Sequence, residues 1–238
     1  MGHIAVEVDG ARIAFTDRHG GVSHAPYDTA NLGFATGDDA AAVAENRRRV
    51  AAELGGPGPD RWAWVLQVHG AGVVEVEGPG RGGDADALVT TARDLALVVL
   101  VADCVPVALA AGDAVAAVHA GWRGLLAGVV ETAVTATRRR GTPRVHAVIG
   151  PCISRAHYEF GPAELDRIAA RLGESVRSRT VDGALALDLR AGVHAALARA
   201  GVDDRADVGV CTYASPDHFS HRRDGVTGRQ ALVVRRTP

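Results

Sequence analysis

The sequence is short of aromatic residues, charge blocks and paired cysteines, and each shortage excludes something. Phe, Trp and Tyr make up only 4% of 238 residues, so aliphatic side chains must fill the core. Three widely separated cysteines, an odd number, argue against a disulfide framework and for reduced thiols. Net charge is −2, from 26 basic and 28 acidic residues, and no block of like charge is long enough to offer a nucleic-acid or membrane surface. The opening MGHIAVEVDG has no basic region followed by an apolar run, so it is not expected to be a signal peptide. The most apolar stretch, residues 95–111, is interrupted by Asp103 and Pro106 and falls short of the roughly 20 residues a spanning helix needs. A cytoplasmic protein is expected, a monomer or weak homodimer with no nucleic-acid or membrane partner. No Walker motif occurs, so nothing points to a nucleoside triphosphate.

What is present reads as a mixed α/β protein. Hydrophobic residues make up 47% of the chain, enough for a sizeable core. Residues 4–8 and 12–16 alternate like a hairpin around Asp9-Gly10. Residues 17–39 form a long Gly/Asn/Asp-rich loop, and loops of that length often carry function. Asp38 or Asp39 is placed to cap a helix over 40–54. Strands are expected over 62–68, 73–76, 87–89, 95–101, 107–110, 114–118, 144–149, 208–211 and 231–234. Helices are expected over 125–139, 162–172 and 189–200, the last two ending at Gly173 and Gly201. Strands come in runs between separated helices, which favours mixed α/β layers over a Rossmann or barrel plan. The arginines at 47–49 and 138–140 read as solvated helix faces.

Three residues stand at expected strand ends. His69 ends "WVLQVHG", Cys104 ends "LVVLVADC" and His119 ends "AVAAVHAGW", each shortly before Gly or Pro. One thiolate and two imidazoles suit zinc, and three protein ligands leave a fourth position open, as in catalytic sites. The bland alternative is two hydrogen-bonded histidines and a buried thiol. Asp103 reads either as an orienter or general base beside that site or as a turn residue. Arg123, at the start of a helix in "GWRG", is placed to bind an anion or to form a salt bridge. Arg18 and Asn31 reach a ligand or stabilise their loop. Cys152 in "GPCIS" lines the same cleft or is simply buried.

These motifs carry a resemblance. "DRHGGVS", "NLGFATGDD…VAENRRR", "QVHG", "DALVT", "ADCVPV", "VHAGWRG", "IGPCIS…HYEFG" and "FSHRRDGVTGRQALVV" run in order over nearly the whole chain. The sequence resembles the YfiH-like family, also called the peptidoglycan editing factor or laccase-domain family, and polyphenol oxidase. The resemblance implies one domain over 1–238, a four-layer αββα sandwich with mixed β-sheets, and zinc on His69, Cys104 and His119. It implies purine nucleoside phosphorylase activity, taking adenosine, inosine or guanosine with phosphate to base and ribose 1-phosphate. Adenosine deaminase and methylthioadenosine phosphorylase activities are associated with the same family. Within that reading Asp103, Arg18 and Arg123 are the candidate catalytic groups, and Asn31 and Cys152 the candidate substrate contacts. Asp17 departs from the Ser or Thr usual before the arginine.

Two other functions compete. One is editing of a peptidoglycan precursor in cell-wall quality control. The other is a copper-dependent polyphenol oxidase, since His₂Cys also resembles a blue-copper shell; but ten histidines include no H-x-H pair. The usual zinc deaminase signature pairs H-x-E with P-C-x-x-C, and no P-C-x-x-C occurs here.

Overall fold

The structure, a computed structural model, describes residues 2–237. Strands β1 (His3–Val8) and β2 (Ala11–Thr16) form the expected antiparallel hairpin. Asp9 (φ 46°) and Gly10 (φ 73°) are both left-handed at its turn, the twist that matches paired strands. Helix α1 (Ala40–Glu53) starts at Asp39, whose carboxylate accepts from the Ala41 N–H. Next come β3 (Trp62–Leu66), β4 (Val73–Glu75), β5 (Gly80–Asp84), β6 (Ala87–Thr90), β7 (Ala96–Val101), β8 (Val105–Ala111) and β9 (Ala114–Ala120). Helices α2 (Trp122–Ala127) and α3 (Val129–Arg140) lead to β10 (His146–Ile149) and α4 (Pro162–Leu172). The chain ends with β11 (Arg177–Arg179), β12 (Leu185–Leu187), α5 (Leu189–Arg199), β13 (Arg205–Asp207), α6 (His221–Asp224) and β14 (Gln230–Arg236).

Two six-stranded mixed sheets face each other, with orders β1-β2-β14-β7-β3-β5 and β13-β10-β8-β9-β6-β4. Period-2 alternation decides what each face buries. On β14, Leu232 and Val234 point between the sheets, with Phe15, Leu97, Val99, Ala108 and Val115. Ala231 and Val233 point the other way, under Val50 and Ala51 of α1. On the second sheet Val107, Leu109, Ala116 and Val118 pack against Val130, Val134, Ile168 and Leu197 of α3, α4 and α5. The layers therefore run α, β, β, α, as the resemblance implies. Strands β8 and β9 are buried along their whole length, which explains their near-continuous apolar sequence.

Four local differences from the sequence reading have physical causes. The helix expected over 125–139 is two helices, broken at Gly128 (φ 93°), whose N–H closes α2 onto the Gly124 and Leu125 carbonyls. The strand expected over 62–68 stops at Leu66, because the Gln67 side chain takes over the ladder bonds to the Leu100 N–H (2.8 Å) and C=O (2.7 Å). The strand expected over 208–211 lies earlier, at β13; Gly209 (φ 72°) turns the chain and donates to the Asp207 carboxylate. Arg47 is not a solvated residue but is 7% exposed, its Nε donating to the Leu32 carbonyl.

Candidate functional site

Antiparallel pairing places strand starts beside strand ends. In the β8–β9 ladder Pro106 faces His119 and Val105 faces Ala120, so Cys104, just before β8, arrives beside the end of β9. On the other side of β9, β6 pairs Ala87 with Val118, which brings Asp86 to the same end. His69 comes from the opposite sheet, on the turn after β3. The donor atoms of His69, Cys104 and His119 lie within 4.8 Å of one another. Cys104 Sγ is 4.0 Å from His69 Nε2, and the two imidazole rings meet edge-on at 83°. Zn–S of about 2.3 Å and Zn–N of about 2.0 Å in a tetrahedron set S···N near ~3.5 Å. The Cys104–His69 pair stands about half an ångström wider than that, and one thiolate with two imidazoles is a donor set that zinc accepts and copper also tolerates.

Asp86 organises the trio, and nothing in the sequence singled it out beyond an acid opening the apolar "DALVT". It is fully buried. Its carboxylate accepts from the backbone N–H groups of Val68 (3.3 Å), His69 (3.0 Å) and Gly70 (2.6 Å) and lies 2.8 Å from His119 Nδ1. An ionised carboxylate only accepts, so His119 Nδ1 carries the proton and Nε2 is left for a metal. Burial alone would raise the Asp86 carboxyl, but the His119 contact and the Gly70 and His69 amides hold it below its ordinary value. The same three amides hold His69 in a left-handed conformation (φ 59°); Asp103 is left-handed too (φ 99°). Non-glycine residues there cost of order 1–3 kcal/mol each, and such strain collects where side chains must be aimed.

Gly121 completes the cradle. A Cβ there would stand 2.9 Å from His69 Cδ2 and 3.1 Å from Cys104 Sγ, so any side chain would displace the donors. The thiol and the imidazole polarise each other. Burial pushes Cys104 up, yet the charge and hydrogen bonds of His119 and His69 outweigh it and bring the thiol down to about 6. Burial pushes His119 down, and the Cys104 thiolate and Asp86 raise it to about 9. Without metal the pair is a thiolate and an imidazolium at neutral pH.

The trio opens into a cleft of about 650 Å³. Its walls carry Arg47, Arg81, Arg123, Arg229 and His221 and no carboxylate. Leu66, Leu100, Val101 and Ala102 supply an apolar side, and Phe34 and Trp64 an aromatic one. Arg123 lies over the Trp122 ring at 4.5 Å and forms no salt bridge among the described residues. The Arg229 guanidinium donates only to the Thr227 and Gly228 carbonyls among the described residues. The helix start at Trp122 thus places Arg123 on the cleft wall without an ion-pair partner among the described residues.

The remaining candidates stand off the cleft wall. Asp103 is 7% exposed, and both its oxygens are engaged: Oδ1 accepts from Thr212 Oγ1 (2.7 Å) and Oδ2 from the Arg222 N–H (2.7 Å). Arg18 donates to the Asp28 carbonyl (2.8 Å) and lies over the Phe219 ring at 4.8 Å. Asn31 is buried; its amide donates to Thr36 and Asp38 and accepts from the Gly33 and Arg229 N–H groups, tying the Phe34 strap to Arg229. Cys152 is fully buried and receives Arg190 at 3.3 Å. Arg47, Arg229 and His221 were missed as cleft residues; a run of arginines on an amphipathic helix does not reveal which one turns inward.

Fold and site together define a metal-competent αββα sandwich protein. The family model described as "Multi-copper polyphenol oxidoreductase laccase" matches residues 12–237, and the chain belongs to that family. A Streptomyces coelicolor protein named purine nucleoside phosphorylase is 49% identical over 95% of this chain and 96% of its own. A Corynebacterium glutamicum protein of the same name is 43% identical over 94% of this chain and 93% of its own. Among solved structures, YlmD from Geobacillus stearothermophilus superposes with a TM-score of 0.89 at 32% identity, covering 96% of this chain and 93% of that one. YfiH from Bacillus licheniformis superposes with a TM-score of 0.87 at 27% identity, covering 94% and 92%. No described helix is long and apolar enough to cross a membrane.

Proposed function

We propose that this chain is a zinc-dependent purine nucleoside phosphorylase. The observation that carries the reading is a His₂Cys donor trio at the foot of a cleft lined by arginines without a single carboxylate. Such a cleft attracts an anion, and phosphate is the co-substrate of phosphorolysis. The relatives named purine nucleoside phosphorylase support the same reaction. Zinc on His69, Cys104 and His119 would supply a Lewis acid able to polarise an oxygen at its open side.

The chain's own residues do the rest. Arg123 and Arg229 hold phosphate, since neither has an internal counterion. His221 Nδ1 lies 2.6 Å from the Gly225 carbonyl and must donate to it, which leaves Nε2 to accept a phosphate proton. A phosphate oxygen then forms a bond to the ribose C1′ while the C1′–N9 bond breaks. The electron pair leaves on the purine, which takes up a proton. Leu66, Leu100 and Val101 keep water from competing with phosphate. Asp103 acts as a positioning residue: its carboxylate fixes the start of α6, where His221 stands, while its chain neighbour Cys104 joins the trio.

The test is purified protein, stripped by chelator and reloaded with zinc, given inosine and phosphate. Hypoxanthine and ribose 1-phosphate should appear together, and only with zinc restored. Adenosine separates the companion activities: adenine marks phosphorolysis, inosine marks deamination. Zinc-loaded protein that releases no base from inosine, guanosine or adenosine refutes the reading.

A further inference from the structure

Arg47 presents an arginine fork without an acceptor. The residue is 7% exposed, and only its Nε is bonded, to the Leu32 carbonyl at 2.9 Å. Among the described residues no hydrogen bond reaches either terminal nitrogen, neither is sealed from solvent, and the side chain lines the cleft. No carboxylate approaches it. Its guanidinium carbon lies 4.4 Å from the Phe34 ring centre and 5.6 Å from that of Trp64, so aromatic rings hold it while its outer edge stays free. A charged fork held mostly out of bulk water and open only to the cleft is placed to bind a ligand with matching acceptors, which would replace the water it meets there.

The ligand's chemistry follows from the surroundings. The cations beside the donor trio, Arg123, Arg229 and His221, suit phosphate. Burial lowers both guanidinium groups; at Arg229 the negative charges of Cys104 and Asp103 oppose it, an effect not found at Arg47. The Arg47 end, flanked by Phe34, Trp64 and Leu66, suits a flat heteroaromatic ring instead. A guanidinium fork matches two adjacent acceptors in one plane, as on the O6/N7 edge of a 6-oxopurine. Adenine shows N7 beside an N6 amino donor, so one arm of the fork would meet hydrogens.

We propose that Arg47 is a specificity-determining residue that reads the O6/N7 edge of the purine, so the enzyme favours inosine and guanosine over adenosine. This rests on the phosphorylase reading above. Wild-type enzyme should show kcat/KM for inosine and guanosine about tenfold or more above that for adenosine, the scale of one bidentate base contact. Arg47→Met should bring that ratio close to one, and Arg47→Lys should fall between, because an ammonium offers no fork. Calorimetric titration of zinc-loaded wild type with free bases gives a readout that needs no variant and no turnover: hypoxanthine and guanine should bind more tightly than adenine. A wild-type preference for adenosine, adenine binding as tightly as hypoxanthine, or a folded Arg47→Met with an unchanged ratio would each overturn the proposal. So would an Arg47→Met whose only defect is a raised KM for phosphate. Absence of all nucleoside turnover would defeat the phosphorylase reading while the titration still decides the base site.

Discussion

Cys104 and Cys152 stand at the same end of the second sheet, one just before β8 and the other just after its neighbour β10, with the Ile153 N–H donating to the Asp103 carbonyl between them. Their thiols are driven apart. Cys152 is sealed in an apolar core, and burial pushes it up to about 12 despite Arg190. Cys104 faces two imidazoles, which bring it down to about 6 against the same tendency. Burial by itself makes a thiol inert; burial beside two groups that can carry positive charge makes a ligand.

Removing the sulfur breaks the comparison most severely. Cys104→Ala should abolish stoichiometric zinc by elemental analysis and with it phosphorolysis, whereas Cys152→Ala should retain its metal. Proton competition comes next. Metal needs Cys104 as thiolate and His119 neutral at Nε2. Between about 6 and about 9 the metal-free Cys104–His119 pair is already thiolate and imidazolium, so binding releases one proton from that pair, and below about 6 it releases two from it. Zinc affinity should therefore fall about tenfold per pH unit on going from about 9 to neutrality, and more steeply in acid. Chelator competition across pH measures the slope; a flat profile around pH 7–8 would mean His119 is not protonated in the free site.

Asp86→Asn sharpens the comparison by leaving both thiols in place. It weakens the hold on His119 and the His69 turn, and should lower zinc affinity by about 10–100-fold. Alkylation of chelated protein at pH 7 should label Cys104 well ahead of Cys152, read by peptide mass; equal labelling would show that the two environments are not distinct. The smallest effect is on stability. Cys152→Ala, which removes one buried sulfur from the core, should lower stability by about 1 kcal/mol in chemical denaturation.

Much of the fold was legible because the responsible forces are local. Asp9-Gly10 favours its turn in any context, Asp39 caps its helix from one residue away, and the doubly buried β8 and β9 announce themselves as apolar runs. The helix break at Gly128 was not legible, since glycine inside a helical pattern is compatible with either outcome. Nor was the early end of β3, because a glutamine side chain replaces ladder bonds only once β7 lies beside it. The His69, Cys104 and His119 trio, which the structure brings together, was picked out by residue type and strand-end position. Asp86 escaped for the opposite reason: an acid before a strand ordinarily faces water, and only burial against His119 makes it an orienter.

The sequence by itself determined the long helices and the apolar strands, their order along the chain, and the supply of one thiol and two imidazoles at strand ends, but not the short elements β5, β11, β12 and α6. Local propensity and periodicity act within a few residues and need no partner. Only the tertiary structure decided that His69 from one sheet meets Cys104 and His119 from the other, that Arg47 turns inward while Arg48 and Arg49 face solvent, and that Arg123 and Arg229 share one cleft. Those outcomes depend on how two sheets stack. Charge and burial at a point are set by everything packed around it, whichever part of the chain supplies it.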